Sequence, residues 1–139
     1  TIDAFQHWVY ANPEHSREDR VARWLALEQR FGLQGHRVDW VGLEEPRKYV
    51  WQRQGHLFGV PFYYVEYGIA QLGALGLWLM SLEQGEQAAL AAYKKSLSLG
   101  GSRPLPELFA AAGLPFDFGD ETVGRLVERV EGELEKLPE

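Results

Sequence analysis

The chain has 139 residues, 45% of them hydrophobic and 13% aromatic, which suits one packed globular domain over 1–139 and excludes a disordered tail. A formal net charge of −6 with no cluster of lysine and arginine excludes nucleic acid as the main partner, and the lack of cysteine excludes disulfides and thiolate metal sites. The cysteine count also suits a cytoplasmic protein. Residues 1–10 already contain Asp3, Gln6 and His7 and do not read as a signal peptide. The longest uncharged run, 67–82, carries Gln71 and falls short of the roughly 20 residues that span a membrane, so no membrane partner is expected.

In chain order, Ile2, Phe5, Trp8 and Val9 have helical spacing and predict a helix over 1–10 that stops at Asn12 and Pro13. Ser16 reads as an N-cap with Asp19 three residues on, opening a helix through Val21, Trp24, Leu25, Leu27 and Phe31 that ends at Gly32. Residues 33–43 hold no sustained period and predict a loop that tucks Val38 and Trp40 against the bundle. Glu44, Glu45 and Pro46 have the composition of a helix start, and that helix is expected to carry Tyr49, Val50 and Trp51 towards His56.

A break at 59–61 precedes a long helix expected to begin near Pro61 and end near Gly85. Its run of apolar residues reads as a buried helix with a polar edge facing a cleft. Residues 86–99 predict another helix with Leu90, Tyr93 and Leu97 on one side, stopped by Gly100 and Gly101. A short helix over 104–112 should turn Leu105, Leu108 and Phe109 inward and end at Gly113. The last helix is amphipathic, with Val123, Leu126, Val127, Val130, Leu134 and Leu137 along one face. Nothing alternates with period two for long, and no repeat is visible. The expected fold class is all-α, a helical bundle.

Residues 56–82 are the unusual stretch. His56 is followed by a Gly/Pro break and then by Tyr63, Tyr64 and Tyr67. A histidine N–H and phenol O–H groups brought to one point of a cleft are donors of the kind that stabilise a developing oxyanion. The same tyrosines equally fit the rim of a core with their hydroxyls in water. Gly68, Gly73 and Gly76 in a helix interior each cost roughly 0.5 to 1 kcal/mol against alanine, which implies a neighbour packed too close for a side chain. His15 and His36 stand in polar turn sequence and read as solvated loop residues, and His7 reads as structural. None of the four histidines lies in a metal-ligand motif of the H-E-x-x-H type. Glu66 reads as a surface charge. Serine-hydrolase and nucleotide-binding patterns are missing as well.

The segments DAFQHWVYANPEHSREDR, WQRQGHLFGVPFYYVEYGIAQLGALGLW and LGGSRPLPELFAAAG together resemble the C-terminal part of the oligoendopeptidase F group, within the thimet-oligopeptidase-like family of zinc metallopeptidases. The similarity runs along essentially the whole chain. It implies the C-terminal catalytic-lobe portion of a thimet-oligopeptidase-like (neurolysin-like) fold, in an enzyme whose deep channel admits short peptides. It also implies that His56 and one or more of Tyr63, Tyr64 and Tyr67 hold the tetrahedral intermediate, facing zinc ligands supplied by an H-E-x-x-H helix and a later glutamate.

This sequence contains no H-E-x-x-H, so both ligand helices are expected upstream of Thr1 and the chain is expected to be a fragment that binds no zinc and hydrolyses nothing alone. Gly68, Gly73 and Gly76 would then let their helix approach the missing N-terminal portion of the parent chain. An uncovered apolar face should make the isolated chain self-associate. The competing reading is a stand-alone α-helical interaction module without catalytic activity.

Overall fold

In the computed structural model, which describes residues 1–32 and 38–138, helices are the regular secondary structure among the described residues. The chain forms two compact units, Thr1–Tyr67 and Gly68–Glu139.

The first unit is built on helix α1 (Ile2–Ala11) and helix α2 (Arg17–Phe31). The apolar stripe read from α1 buries Phe5, whose ring meets Trp24 edge-on at 5.4 Å and Trp51 at 5.2 Å. Leu27 completes this core, with Ile2, Val9, Leu25, Val50 and Leu57 packed around it. Helix α2 opens with the expected reciprocal cap: the Asp19 N–H donates to Ser16 Oγ, and the Ser16 N–H donates to the Asp19 carboxylate, each at 3.0 Å. The backbone and side-chain hydrogen bonds from Ser16 hold the Asp19 carboxyl below its ordinary value. A depressed folded-state value means that the cap stabilises above the ordinary carboxylate range and is lost as pH falls through the lowered value.

The helix expected to run from Glu44 through Trp51 is two pieces. Helix α3 (Glu44–Arg47) is a single turn, and a separate 3-10 turn covers Val50–Arg53. The Arg47 carbonyl that a continuous helix would offer to the Trp51 N–H accepts from Trp24 Nε1 at 3.1 Å, which ties α3 to α2 and ends it. Arg47 also reaches Glu28, a carboxylate only 4% exposed, with Nε and a terminal nitrogen each 2.7 Å from the same oxygen. The loop predicted over 33–43 lies outside the described residues as far as 37. Val38 is exposed, while Trp40 is half-buried under the Arg47 guanidinium, 5.6 Å from its ring centroid.

Helix α4 (His56–Gly59) ends the single-turn elements, and helix α5 (Val65–Gln84) is the long one. It starts four residues later than Pro61, and the cause is Phe62, whose φ of +62° is left-handed and stops a right-handed helix from forming through it. The expectation that α5 is buried fails: only Gly73 and Leu79 are buried, and Val65, Tyr67, Trp78 and Leu82 are exposed. By length and composition alone α5 is also long and apolar enough to cross a membrane, contrary to expectation, because the helix extends past Glu66 and Glu83 at either end of its uncharged run.

The second unit packs the rest of α5 with helix α6 (Glu86–Leu97), helix α7 (Leu105–Ala111) and helix α8 (Asp120–Leu134). Gly85, at φ +91°, makes the sharp break between α5 and α6 that a residue with a side chain would strain. Helix α6 buries Ala89 and half-buries Ala92, while Leu90, Tyr93 and Leu97, on one side as expected, form an exposed stripe. Ser96 Oγ donates to the Leu108 carbonyl at 2.8 Å and pins α6 to α7. Leu105 is exposed, whereas Leu108 and Phe109 are half-buried. On α8, Val123, Leu126 and Val130 are half-buried, Val127 and Leu134 are exposed, and Leu137 lies beyond the helix end.

The glycines of α5 divide into two kinds. A side chain at Gly73 would come within 3.0 Å of Phe109 Cζ, and one at Gly76 within 3.0 Å of Leu114 Cδ2. Their close neighbours therefore lie within this unit, which corrects the assignment of these two glycines to a neighbour outside the chain. Gly68 has open space around it. In the isolated chain Gly68→Ala should stabilise by about 0.5 to 1 kcal/mol through helix propensity alone. Gly73→Val should destabilise by about 1 to 3 kcal/mol, because Phe109 is itself held edge-on against Phe116 at 5.1 Å. Thermal unfolding of both variants checks the contrast, and equal shifts would show that Phe109 yields freely.

Candidate functional site

The turn after Trp51 determines where the histidine goes. Gln54 closes the 3-10 turn, α4 begins with His56 on its first residue, and the chain then doubles back through the left-handed Phe62. A non-glycine residue in this conformation costs about 1 to 2 kcal/mol, so the surrounding structure must hold it there. The Phe62 N–H donates to Gln6 Oε1 at 2.8 Å, and the Phe62 ring sits 4.9 Å from both the His7 and the Tyr10 rings. Doubling back brings Tyr63 over His56.

The imidazole of His56 and the phenol of Tyr63 are stacked, with centroids 5.2 Å apart and planes within 6°. Tyr64 and Tyr67 meet the same imidazole edge-on at 5.3 and 6.0 Å. Tyr67 also touches Tyr63 at 5.6 Å and Tyr64 at 5.7 Å, so the four rings form one cluster. The Tyr63 and Tyr67 rings share a face as their spacing requires, although Tyr63 precedes the helix and reaches that face through the turn. Tyr63 and Tyr67 are exposed at 36% and 54%, and among the described residues neither hydroxyl has a hydrogen-bond partner in the protein. The Tyr64 hydroxyl donates to Gln54 Oε1. The cluster thus presents an imidazole and two phenols with donor capacity to spare, and a third phenol whose oxygen is fixed in position.

The other candidates fall elsewhere. His7 is exposed, with Nδ1 at 3.1 Å from the Asp3 carbonyl. His15 is half-buried and not the solvated loop residue expected, because Arg20 Nε donates to its Nε2 at 2.8 Å. That bond puts the ring proton on Nδ1, which faces the Asn12 carbonyl. His36 lies outside the described residues, and Glu66 is an exposed charge. Among the described residues no three His, Asp or Glu side chains come close enough to hold a metal ion, and the sequence lacks the H-E-x-x-H motif. The described residues do not by themselves fit a zinc site.

Two residues of the site escape a reading of the sequence. Gln54 looks like any polar residue of a turn. Gln6 carried a signal, since it stands at the i+4 position of the helical series Ile2, Phe5, Gln6, Val9 and is buried at 2% exposure. A glutamine on a core-facing stripe has amide groups that must be satisfied inside.

Among the described residues, which are helical or irregular, one imidazole and three phenols are gathered at a surface, and groups of this kind can donate hydrogen bonds to developing negative charge. The chain belongs to Peptidase family M3, whose sequence profile matches residues 1–125. It is similar to a solved structure of PZ peptidase A with an inhibitor, at 33% identity and a TM-score of 0.82, covering 98% of this chain and 24% of that one. A structure assigned to oligoendopeptidase F is similar at 33% identity and a TM-score of 0.80, with the same coverage of 98% and 24%. No curated relative matches the sequence. The chain spans about a quarter of the length of the solved structures it matches.

Proposed function

We propose that this chain is the C-terminal portion of a zinc-dependent oligoendopeptidase of the oligoendopeptidase F type, a cytoplasmic enzyme that cleaves short peptides, and that it contributes the His/Tyr wall of the active site. The observation that carries the reading is the contact of His56 with all three tyrosine rings, in a chain of Peptidase family M3. In this role the His56 N–H and a phenol O–H from the tyrosine cluster donate hydrogen bonds to the carbonyl oxygen as it gains negative charge in the tetrahedral intermediate. Such donors act at little reorganisation cost because ring packing already orients them. The zinc ligands and the general base belong to the part of the enzyme outside this chain.

A quenched-fluorescent short peptide, offered separately to the isolated chain and to the full-length protein, tests the reading. Cleavage by the full-length protein only is the expected result. Cleavage by neither would favour the α-helical interaction module. The exposed apolar residues of α5 and α6, among them Trp78, Leu82, Leu90 and Leu97, support self-association of the isolated chain. Sedimentation at high concentration should show dimers or larger species, and a clean monomer would count against an uncovered interaction face.

A further inference from the structure

Gln6 stands 51 residues from Leu57 and 56 from Phe62 in sequence, yet its amide is bonded to both. Its Nε2 donates to the Leu57 carbonyl at 3.3 Å, immediately after His56, and its Oε1 accepts from the Phe62 N–H at 2.8 Å, immediately before Tyr63. One buried side chain therefore fastens both ends of the segment that separates the two stacked rings. We infer that Gln6 is a positioning residue for the proposed oxyanion wall: α1 uses its amide to hold the His56 and Tyr63 rings in register. This inference rests on the peptidase reading given above.

The packing core does not require an amide at this position. Phe5, Trp24, Leu27 and Trp51 make up the buried apolar centre of the unit without the Gln6 side chain. An amide holds donor and acceptor in one fixed plane, and here they match two backbone groups of the 57–62 turn, the Leu57 carbonyl and the Phe62 N–H. Without it, the Phe62 N–H and the Leu57 carbonyl lose their partners, Phe62 is freed to leave its left-handed conformation, and the stack between His56 and Tyr63 loses its support. His7 and Tyr10, whose rings flank Phe62, limit the displacement but do not replace the hydrogen bonds.

The test uses the full-length enzyme and compares Gln6→Met, Gln6→Glu and His56→Ala on one short peptide substrate. Gln6→Met keeps the volume and removes both bonds; its kcat per folded molecule should fall on the order of 10- to 100-fold, with KM within about threefold, while thermal unfolding drops modestly and the protein stays folded at the assay temperature. Gln6→Glu keeps an acceptor for the Phe62 N–H and should recover part of the lost kcat. Wild-type kcat in Gln6→Met, beside an inactive His56→Ala, would overturn the positioning role and leave the peptidase reading standing. A loss of kcat that merely tracks a loss of folded protein, with no recovery in Gln6→Glu, would also overturn it. If Gln6→Met does not fold, Gln6→Glu decides: lowered kcat at wild-type stability supports the role, and unchanged kcat refutes it. Full turnover in His56→Ala would instead defeat the peptidase reading itself, and the inference with it.

Discussion

His56→Ala in the full-length peptidase is expected to lower kcat by about 10² to 10³-fold with a smaller change in KM, because a donor to the oxyanion acts mainly once charge has developed. That range corresponds to roughly 2.7 to 4 kcal/mol of lost transition-state stabilisation. The imidazole is also the hub of the ring cluster, touching Tyr63, Tyr64 and Tyr67, so alanine removes packing as well as a donor. Tyr→Phe changes separate these contributions, since each keeps the ring and removes only the hydroxyl. Taken singly at 63, 64 and 67, they identify which phenol reaches the reacting carbonyl. Steady-state turnover is the measurement, and unchanged kcat in His56→Ala and in all three phenylalanine variants would remove the cluster from the mechanism.

The second large effect is on stability. Arg47→Met should destabilise the first unit by about 3 kcal/mol or more, since it leaves the Glu28 carboxylate buried without its cation. For a unit of this size that is a Tm loss on the order of 10 °C or more. The backbone bond from Trp24 Nε1 to the Arg47 carbonyl survives the substitution, which isolates the side-chain pair. A double variant, Glu28→Leu with Arg47→Met, should regain most of the loss, because replacing both members of a buried pair by apolar groups is often close to neutral. Circular dichroism melts of the isolated chain read both results. A single variant that melts with the wild type would mean that Glu28 finds water or another donor once Arg47 is gone.

Features with short-range causes are legible in the sequence, and those with long-range causes are not. The α2 cap was legible because Ser16 and Asp19 satisfy each other across three residues, and the stop at Gly85 because a break in the chain is a local demand. The all-helical class followed from apolar spacing, and the peptidase resemblance rested on contiguous strings of residues. The tyrosine cluster was half legible: the spacing of Tyr63 and Tyr67 placed them on one face, but the stack on His56 depends on the reversal at Phe62.

What the sequence determined by itself was the all-helical class, most of the longer helices, the α2 cap and the family, since each is written in residues a few positions apart. Tertiary structure alone decided which neighbours those helices meet. It assigned Gly73 and Gly76 to Phe109 and Leu114, buried Ala89 of α6 and left its Leu90, Tyr93 and Leu97 exposed, left most of α5 exposed and spent the Gln6 amide on a turn more than fifty residues away. Hydrophobic periodicity says that a face wants covering and an amide wants partners, but both forces are blind to sequence distance. Only packing in three dimensions selects the group that answers them.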